Sequence, residues 1–599
     1  MDWKTWLAVG LSILGLVLWQ VFYSNKVSEQ QRLYEAHHQS EVQEAEVEKE
    51  AVAPGENTGT PAISATPKTP PAMEASGTSA AAFFSPDPNL TKQQATLKNE
   101  FAGFTFQNDS GGIEAVNLLH HFAEDDDFVS LNKGASMPIG AIGVENGRVL
   151  GGFKMKLEEA QQRVVFERMD DDGMLIRKIF QLATGEGSKA EGKDYELELQ
   201  IIFENTSGAA LQRLGYFVAT GMAAPIHGDD QLRYTRFDWF RDGKMKSIDA
   251  NWFSASSIPI IGIQTREARP LYAESSETTF WAAVTSQYFA TIVRSQSADS
   301  LGVWARRYQV GGEPGSPVYA IFGGLSRGGF SVQPGEKHIE KFTIFTGPKD
   351  FEMLRKLGNG EDSVMNFGMF GIVSEVLLWG MNRFYDLTGN YAAAIILLTL
   401  VIKTLLWPLQ NKATQSMKRM SILSPKMTEL REKYKDNPQK MNEELMKLYR
   451  EYGVNPFGGC LPMLIQIPIF FGFYSMLGVA IQLRNASFLW INDLSQPDTV
   501  GYLFGIPINL LPIIMAVTML IQMMITPKTG DSMQQRIFYF MPIIFLLFCY
   551  NFASALALYW TTQNIFSIVQ LYLTRNRPLP KLERKTPPKG GKGKKNKKK

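Results

Sequence analysis

The feature that most restricts the fold of this chain is a set of four long apolar stretches in its second half. They span Asn390 to Gln410, Gly453 to Leu483, Thr499 to Pro527 and Ile537 to Thr574, and together contain one charged side chain, Lys403. A membrane-spanning helix needs about 20 predominantly apolar residues. These stretches therefore predict membrane spans, although the mean hydropathy of the 599-residue chain is only -0.12.

Lys403 is the first candidate functional residue, because a charged side chain inside a membrane span is expensive. Estimates run from about 3 to more than 10 kcal/mol, so such a residue normally faces a protein interior or a water-filled cavity. The alternative is that its long stem reaches the headgroups, since Gln410 lies seven residues further along the chain. The residues alone leave both alternatives open.

The number of spans follows from length. Ile537 to Thr574 holds 38 residues, which as one helix would measure about 57 Å, too long for a single crossing. Tyr550 to Ser554 supplies a polar break, so two antiparallel helices are predicted. Trp6 to Tyr23 is also uncharged and predicts an uncleaved anchor within residues 1–26, with a signal peptide as the alternative. Six spans result.

The distribution of basic residues predicts the orientation. Residues 412–450 contain ten Lys and Arg, and residues 575–599 contain twelve against the single acid Glu583. The positive-inside rule places both segments in the cytoplasm. With six spans, both termini are then cytoplasmic, and residues 24 to about 360 lie outside the cytoplasm.

The exported region divides by composition. Residues 27–92 are rich in Glu, Ala, Pro and Thr, which predicts a disordered tether. Residues 93–347 alternate apolar and polar side chains between turn signals, which predicts a β-sandwich. This region contains no HExxH, GxSxG or phosphate-loop motif, and the neighbouring His120 and His121 are interpreted as solvated loop residues. Cys460 and Cys549 offer neither a disulfide framework nor a metal-ligand spacing.

Two further segments are amphipathic. Residues 363–387 predict an interfacial helix, because Phe370, Val373, Leu377, Met381 and Phe384 recur at helical spacing. Residues 411–452 predict a cytoplasmic hairpin of two helices, with apolar side chains at steps of three and four and a turn at Asp436 to Pro438. Pro425 suggests a helix start or a kink.

Three motifs then resemble one family. TLVIKTLLWPLQNKATQSMKRMSILSPKM, NPFGGCLPMLIQIPIFFGFYSML and FASALALYW occur in this order around the charged hairpin, and they are similar to the bacterial branch of the YidC/Oxa/Alb family. The resemblance covers about residues 363–574, and the anchor and β domain match the Gram-negative layout. It implies a bacterial inner-membrane protein with a periplasmic domain of residues 93–347 and an insertase core of five spans within 388–574.

The resemblance also implies a function. Members insert nascent membrane proteins, alone or beside the Sec translocon, assist their folding, and use neither a nucleotide nor a metal cofactor, so no enzyme activity is expected. Their spans enclose a hydrophilic groove with one positive charge, usually Arg, and Lys403 occupies that place here. By position in the motifs, the groove or substrate path is implied to include Lys403, Thr399, Gln466, Phe470, Tyr559, Trp560, Gln563 and Asn564. For Gln466, Gln563 and Asn564, ordinary interhelical hydrogen bonding remains an alternative.

Basic residues in the hairpin and the tail predict anionic partners, namely ribosomal RNA or membrane lipids. The candidate contacts are Lys418, Arg419, Lys426, Arg431, Lys433, Lys594, Lys595, Lys597 and Lys598. Two other classes of function fit fewer features of the sequence. A polytopic solute transporter would also suit six spans and a buried charge, but the stretches show no inverted repeat. An intramembrane protease would need a Ser with a His, or a pair of Asp, within the spans. The predicted spans contain no His and no Asp.

Overall fold

A computed structural model describes residues 91–575, apart from 124–126, 136, 144–148, 184–192, 227–229, 258–263, 277, 298–299, 314–315, 455–460, 505 and 528–531. The predicted anchor, nearly all of the predicted tether and the basic tail after Arg575 lie outside the described residues.

The first part of the described chain is a β-rich domain. Its strands are, in chain order, β1 (Gln94–Lys98), β2 (Ala102–Gln107), β3 (Gly112–Phe122), β4 (Phe128–Leu131), β5 (Ile142–Gly143), β6 (Lys154–Glu158), β7 (Arg163–Met169), β8 (Met174–Leu182), β9 (Glu196–Asn205), β10 (Leu211–Arg213), β11 (Tyr216–Ala223), β12 (Arg236–Arg241), β13 (Lys244–Asp249), β14 (Ser256–Ser257), β15 (Gln264–Arg266), β16 (Tyr272–Ser275), β17 (Thr279–Thr285), β18 (Phe289–Ser295), β19 (Ser300–Glu313), β20 (Ser316–Arg327), β21 (Phe330–Val332) and β22 (Lys337–Pro348).

Three larger antiparallel sheets and two short two-stranded ones, β10-β21 and β14-β15, form the described part of this domain. The largest has the order β13-β12-β17-β18-β22-β9-β8-β7-β6, the second β16-β19-β20-β11-β5 and the third β1-β2-β3-β4. The two larger sheets pack face to face, with Phe237 of β12 over Gly323 of β20, where a Cβ atom would lie 2.5 Å from the ring. Phe106 of β2 packs the third sheet against Phe166 and Phe180. The expected β architecture is present.

Strand β8 shows why this sequence forms strands. Its buried and partly exposed side chains alternate strictly over nine residues, as a pleated strand with one face on the core requires. Met174, Ile176, Phe180 and Leu182 are buried, and so is Lys178, which occupies the middle of the same row.

His120 and His121 do not lie in a loop, as the sequence suggested. Both belong to β3, and His121 is partly buried with its ring 5.5 Å from that of Phe289. The interpretation was wrong because a polar pair at the end of a long strand lacks the local apolar alternation that marks a strand.

The second part is helical. The described helices are α1 (Phe351–Leu357), α2 (Gly371–Thr388), α3 (Tyr391–Lys433), α4 (Pro438–Tyr452), α5 (Leu461–Leu477), α6 (Leu510–Ile525), α7 (Ser532–Cys549) and α8 (Ser554–Arg575), and a hairpin of β23 (Thr499–Leu503) and β24 (Ile506–Asn509) precedes α6.

The long apolar stretches form helices with bounds that differ from the sequence estimate. The stretch from Ile537 divides into α7 and α8 on either side of the polar break, in agreement with the prediction of two helices. The stretch from Thr499 contains a helix only from Leu510, because its first residues pair as β23 and β24. By length and composition, one described helix, α3, can cross a membrane; α6 and parts of α5 and α7 are shorter apolar helices.

Helix α3 is continuous for 43 residues. It runs through Pro408 and Pro425, so no helix starts at Pro425. Asn390 caps its first turn by accepting a hydrogen bond from Ala393 N at 3.1 Å. At the other end, Asn437 caps α4, which begins with Pro438 at its first position.

The segment of residues 363–387 forms an α-helix, α2, only from Gly371, because residues 361–365 and 368–370 form 3₁₀ helices. The predicted apolar stripe of α2 faces the protein. Leu377 and Met381 are buried against the neighbouring helices, and Val373 packs over Gly472 of α5. A second apolar stripe is exposed instead, formed by Ile372, Val376, Trp379 and Leu387. Helical spacing identified one apolar face, and only packing distinguishes the face that meets the protein.

Candidate functional site

The site begins with Lys403, in the apolar half of α3. Its side chain is buried, with 5% of its surface exposed. The Nζ atom lies 3.5 Å from Gln466 Oε1 on α5 and 3.3 Å from Ser567 Oγ on α8. Neither partner is acidic, so this cation is held by neutral dipoles.

Gln466 connects Lys403 to further polar groups. Its Nε2 atom donates to Tyr559 OH at 3.0 Å and to Gln563 Oε1 at 2.9 Å. Ser567 Oγ donates to the Gln563 carbonyl oxygen at 2.9 Å. Charged and polar side chains from three helices thus form one hydrogen-bonded network. Such a network is expected, because polar atoms buried in an apolar interior need hydrogen-bond partners.

This network lines a cleft of about 690 Å³. The cleft reaches from Lys403 toward the charged half of α3, and five of its side chains are glutamines. Its lining residues are Lys403, Gln410, Thr414, Met417, Gln466, Gln522, Thr526, Gln563, Ser567, Gln570 and Leu571. A cavity of this size and polarity can hold water, since it offers several hydrogen-bonding partners.

An aromatic cluster lies beyond the network, toward the start of α8. The ring centroids of Phe470 and Trp560 are 4.8 Å apart, and Phe545 of α7 lies 4.8 Å from Trp560 on another side. Tyr559 stacks on Phe473 at 4.0 Å. Phe470, Tyr559 and Trp560 do not line the cleft itself, and Tyr559 is connected to it through Gln466.

Two of the residues named from the motifs make helix contacts instead. Thr399 is buried and donates its hydroxyl proton to the Ile395 carbonyl oxygen within α3 at 2.7 Å. Asn564 joins α8 to α6 by donating to Met515 O at 3.3 Å and to Thr518 Oγ1 at 3.2 Å.

The motif comparison missed several lining residues, among them Gln410, Gln522, Ser567 and Gln570. One signal was available: Gln563, Ser567 and Gln570 recur at steps of four and three, on one face of α8.

The five basic residues named in the hairpin all lie on α3. Lys418 Nζ donates to the Thr574 carbonyl oxygen at 2.8 Å, which ties this part of α3 to the end of α8. Lys426 Nζ lies 2.6 Å from Tyr452 OH. Arg419 and Lys433 are exposed and Arg431 is partly exposed. The four named tail lysines lie outside the described residues.

Two family models divide the chain within α2, after the end of the β-rich domain. Residues 99–380 match the model described as YidC periplasmic domain, and residues 383–581 match the 60Kd inner membrane protein. The chain is therefore an inner-membrane protein with a periplasmic β-rich domain and a helical carboxyl-terminal region.

Curated relatives identify the family. A membrane protein insertase YidC of Pelobacter propionicus is 33% identical over 460 residues, which cover 75% of this chain and 77% of the relative. One of Syntrophobacter fumaroxidans is 45% identical over 250 residues, covering 41% and 45%. The chain belongs to the family of YidC membrane protein insertases, which are not enzymes.

Solved structures of YidC proteins are also similar to this chain. An active YidC insertase with its first transmembrane domain resolved is 20% identical and covers 82% of this chain and 94% of its own, with a TM-score of 0.34. Family membership rests on the sequence relatives.

Proposed function

We propose that this chain inserts nascent membrane proteins into the inner membrane, alone or beside the Sec translocon, and that the cleft around Lys403 receives their polar segments. The observation that carries the proposal is a buried cation within a polar cleft, between helices whose other faces expose large apolar side chains such as Leu405 and Ile565.

The physical reason is the cost of moving polar groups through hydrocarbon. An unpaired amide or hydroxyl costs several kcal/mol there, and a charged group costs more. Glutamine and serine side chains in the cleft replace part of the hydration that a crossing segment loses. An acidic side chain of the substrate gains a further partner in Lys403, whose observed hydrogen-bond partners are neutral.

The aromatic cluster of Phe470, Trp560 and Phe545 supports a one-sided route. It fills the space beyond the polar network, so the cleft is accessible from the side of the charged half of α3. A polar segment enters from that side, and the adjoining apolar segment moves between the helices into lipid.

The proposed topology has six spans. The anchor lies within residues 1–26, the tether is 27–92, the periplasmic domain is 93–347 and the interfacial helix is 363–387. Five further spans lie within 388–574, the pair of α3 and α4 around residues 411–452 is cytoplasmic, and the tail of 575–599 is cytoplasmic. The positive-inside rule supports this orientation.

The ribosome is the proposed cytoplasmic partner. Residues 412–450 carry ten basic side chains and residues 575–599 carry twelve, and such segments bind nucleic-acid phosphates. The bond from Lys418 to Thr574 O holds the start of the tail beside the helix pair, so both basic segments face one partner. Acidic lipid headgroups are a second partner for the same charges.

Complementation of an insertase-depleted bacterial strain tests the function. Wild type and Lys403→Arg are expected to insert a small substrate with an acidic translocated segment, whereas Lys403→Ala slows insertion by about tenfold, the factor that 1.4 kcal/mol produces. Lys154→Ala is the control, because Lys154 is an exposed lysine of the β-rich domain, outside the cleft and outside both basic segments.

Two results would count against the proposal. Full insertion by stably expressed Lys403→Ala would remove the cation from the mechanism and leave only the polar cleft. Failure of stably expressed wild type would contradict the insertase function itself.

A further inference from the structure

The hairpin of β23 and β24 exposes an unusual number of large apolar side chains. Phe504 at its tip is 95% exposed, Tyr502 is 75% exposed and Leu503 is 57% exposed. Val500 and Ile506 are also exposed. Residues 499–527 contain no charged side chain, so no charge in the hairpin favours water over an apolar environment.

Both faces of the hairpin are apolar. Tyr502 and Leu503 are consecutive in β23 and therefore point to opposite faces of the ribbon. A hairpin that docks on a protein surface buries one face and leaves the other in water. Because both faces of this hairpin are apolar and exposed, it is suited to an apolar medium that contacts both faces.

The base of the hairpin is firmly attached to the helices. Asn509 Nδ2 donates to the Tyr550 carbonyl oxygen at 2.7 Å, and Tyr550 OH donates to Pro507 O at 2.6 Å. Asp498 accepts hydrogen bonds from Leu511 N at 2.6 Å and from Trp490 Nε1 at 3.0 Å. The hairpin therefore keeps a defined position at the ends of α6 and α7.

The same attachment places the hairpin beside an exposed apolar surface. Tyr550 directly follows α7, whose last turn exposes Leu547 and Phe548. Earlier turns of α7 expose Phe540, Ile543 and Ile544 as well. In the proposed topology this face of α7 meets lipid, and the hairpin continues that apolar surface past the end of the helix.

The unpaired backbone groups of the hairpin limit how deeply it can enter the membrane. Each strand of an isolated hairpin has one edge without sheet partners, and unpaired N–H and C=O groups are not tolerated in the hydrocarbon core. At the level of the headgroups and upper acyl chains, water is available to these groups while the side chains reach lipid. Aromatic side chains such as Tyr502 suit that zone.

We infer that residues 499–509 form a membrane-interface anchor whose tip inserts into the outer leaflet of the inner membrane beside α7. The ligand is phospholipid rather than a protein. The inference rests on the proposed topology and goes beyond it, since it assigns a lipid contact to a β-hairpin outside the spans. The anchor holds the ends of α6 and α7 at a fixed height in the bilayer.

The test uses the full chain in vesicles of phosphatidylethanolamine and phosphatidylglycerol, with Cys460→Ala and Cys549→Ala as background. Phe504→Cys and Leu503→Cys, on the tip and on β23, each receive an environment-sensitive fluorophore. Leu547→Cys is the lipid-facing control on α7, and Asn251→Cys is the exposed control in the β domain.

Both hairpin labels are expected to emit at shorter wavelength than the label at 251. Nitroxide lipids labelled near the headgroup should quench them several-fold more than lipids labelled near the chain end. Aqueous iodide should quench them several-fold less than the label at 251.

Each other outcome has a defined meaning. If lipid quenches 547 while iodide quenches 503 and 504 as it does 251, the anchor is overturned and the topology stands. If lipid does not quench 547 either, the topology fails. Protection of 503 and 504 from iodide without lipid quenching, or lipid quenching at only one of them, indicates a protein contact and also overturns the anchor.

Discussion

Two buried lysines show how differently one side chain is used at the scale of single residues. Lys403 lies among glutamine and serine side chains that line a cleft. Lys178 lies in the core of the β-rich domain, within 5.3 to 6.0 Å of the ring centroids of Phe153, Phe166 and Phe180, and donates to the Gly111 carbonyl oxygen. Burial lowers the pKa of Lys178 well below its usual value.

This lowered pKa predicts a pH dependence of stability. Between the folded-state pKa of Lys178 and its ordinary value of 10.5, the unfolded chain binds the proton and the folded chain does not. The free energy of unfolding therefore rises with pH in this window, and Lys178→Met should reduce the slope between pH 7 and 9 by up to about 1.4 kcal/mol per pH unit. Urea unfolding of the purified protein in detergent, repeated at several pH values, measures this slope.

Lys154→Met supplies the control for this measurement, because Lys154 is an exposed lysine of the same sheet. It should leave the slope unchanged. Equal slopes for wild type and Lys178→Met would mean that Lys178 remains charged in the fold.

At the scale of elements, the pair formed by α3 and α4 depends on a small apolar contact. Leu445 of α4 is buried together with Met420, Leu423 and Met427 of α3. The outer faces of both helices are charged, so this seam supplies the main apolar contribution to holding α4 in place.

Leu445→Ala should therefore release α4 locally, at a cost of about 2 kcal/mol or more, as for other truncated core leucines. Limited proteolysis within residues 434–452 should become faster, while the β-rich domain keeps its resistance. Met446→Ala is the matched control, since Met446 is the exposed neighbour. Cleavage of both variants at the wild-type rate would show that the seam does not hold the pair.

At the scale of the whole molecule, the β-rich domain rests on the loop that follows α5. Arg484 donates from Nη2 to the Phe122 carbonyl oxygen at 3.1 Å and lies over the Phe289 ring. Gln287 Nε2 donates to Gly478 O at 2.8 Å. Burial, followed by the charges of Arg484 and His120, lowers the pKa of His121 at this contact to about 4.

Acidification should loosen this contact. His121 in the separated state has an ordinary pKa near 6.5, so that state binds the extra proton as pH falls from 6.5 toward 4. The docked state should lose up to about 2 kcal/mol at pH 5. Hydrogen exchange of residues 478–486, corrected for intrinsic rates, should show less protection at pH 5 than at pH 7, and His121→Gln should abolish the difference. The same loss in the variant would assign the effect to other groups.

Much of the architecture follows from local sequence patterns. Alternation identified the strand segments around 163–167 and 195–203, which became β7 and β9. The polar break at Tyr550 separated α7 from α8, and Asn437 with Pro438 marked the start of α4. These signals are local because strand and helix periods and capping act within a few residues of the chain.

The candidate site was only partly visible in this way. Lys403 stood out because a charge in an apolar stretch is conspicuous, and the motifs pointed to Gln466 and Gln563. Gln410 and Gln522 carry no such mark, since a single glutamine in an apolar helix has several ordinary explanations.

What joins these residues is helix packing. Lys403 and Ser567 are 164 positions apart in the chain, and their meeting depends on how α3, α5 and α8 are packed. Packing also turned the predicted stripe of α2 toward the protein and folded residues 499–509 into a hairpin. The chemistry of a side chain and the spacing of apolar residues are properties of short segments. The contacts that make a site depend on distant segments being buried together, and no single segment specifies that arrangement.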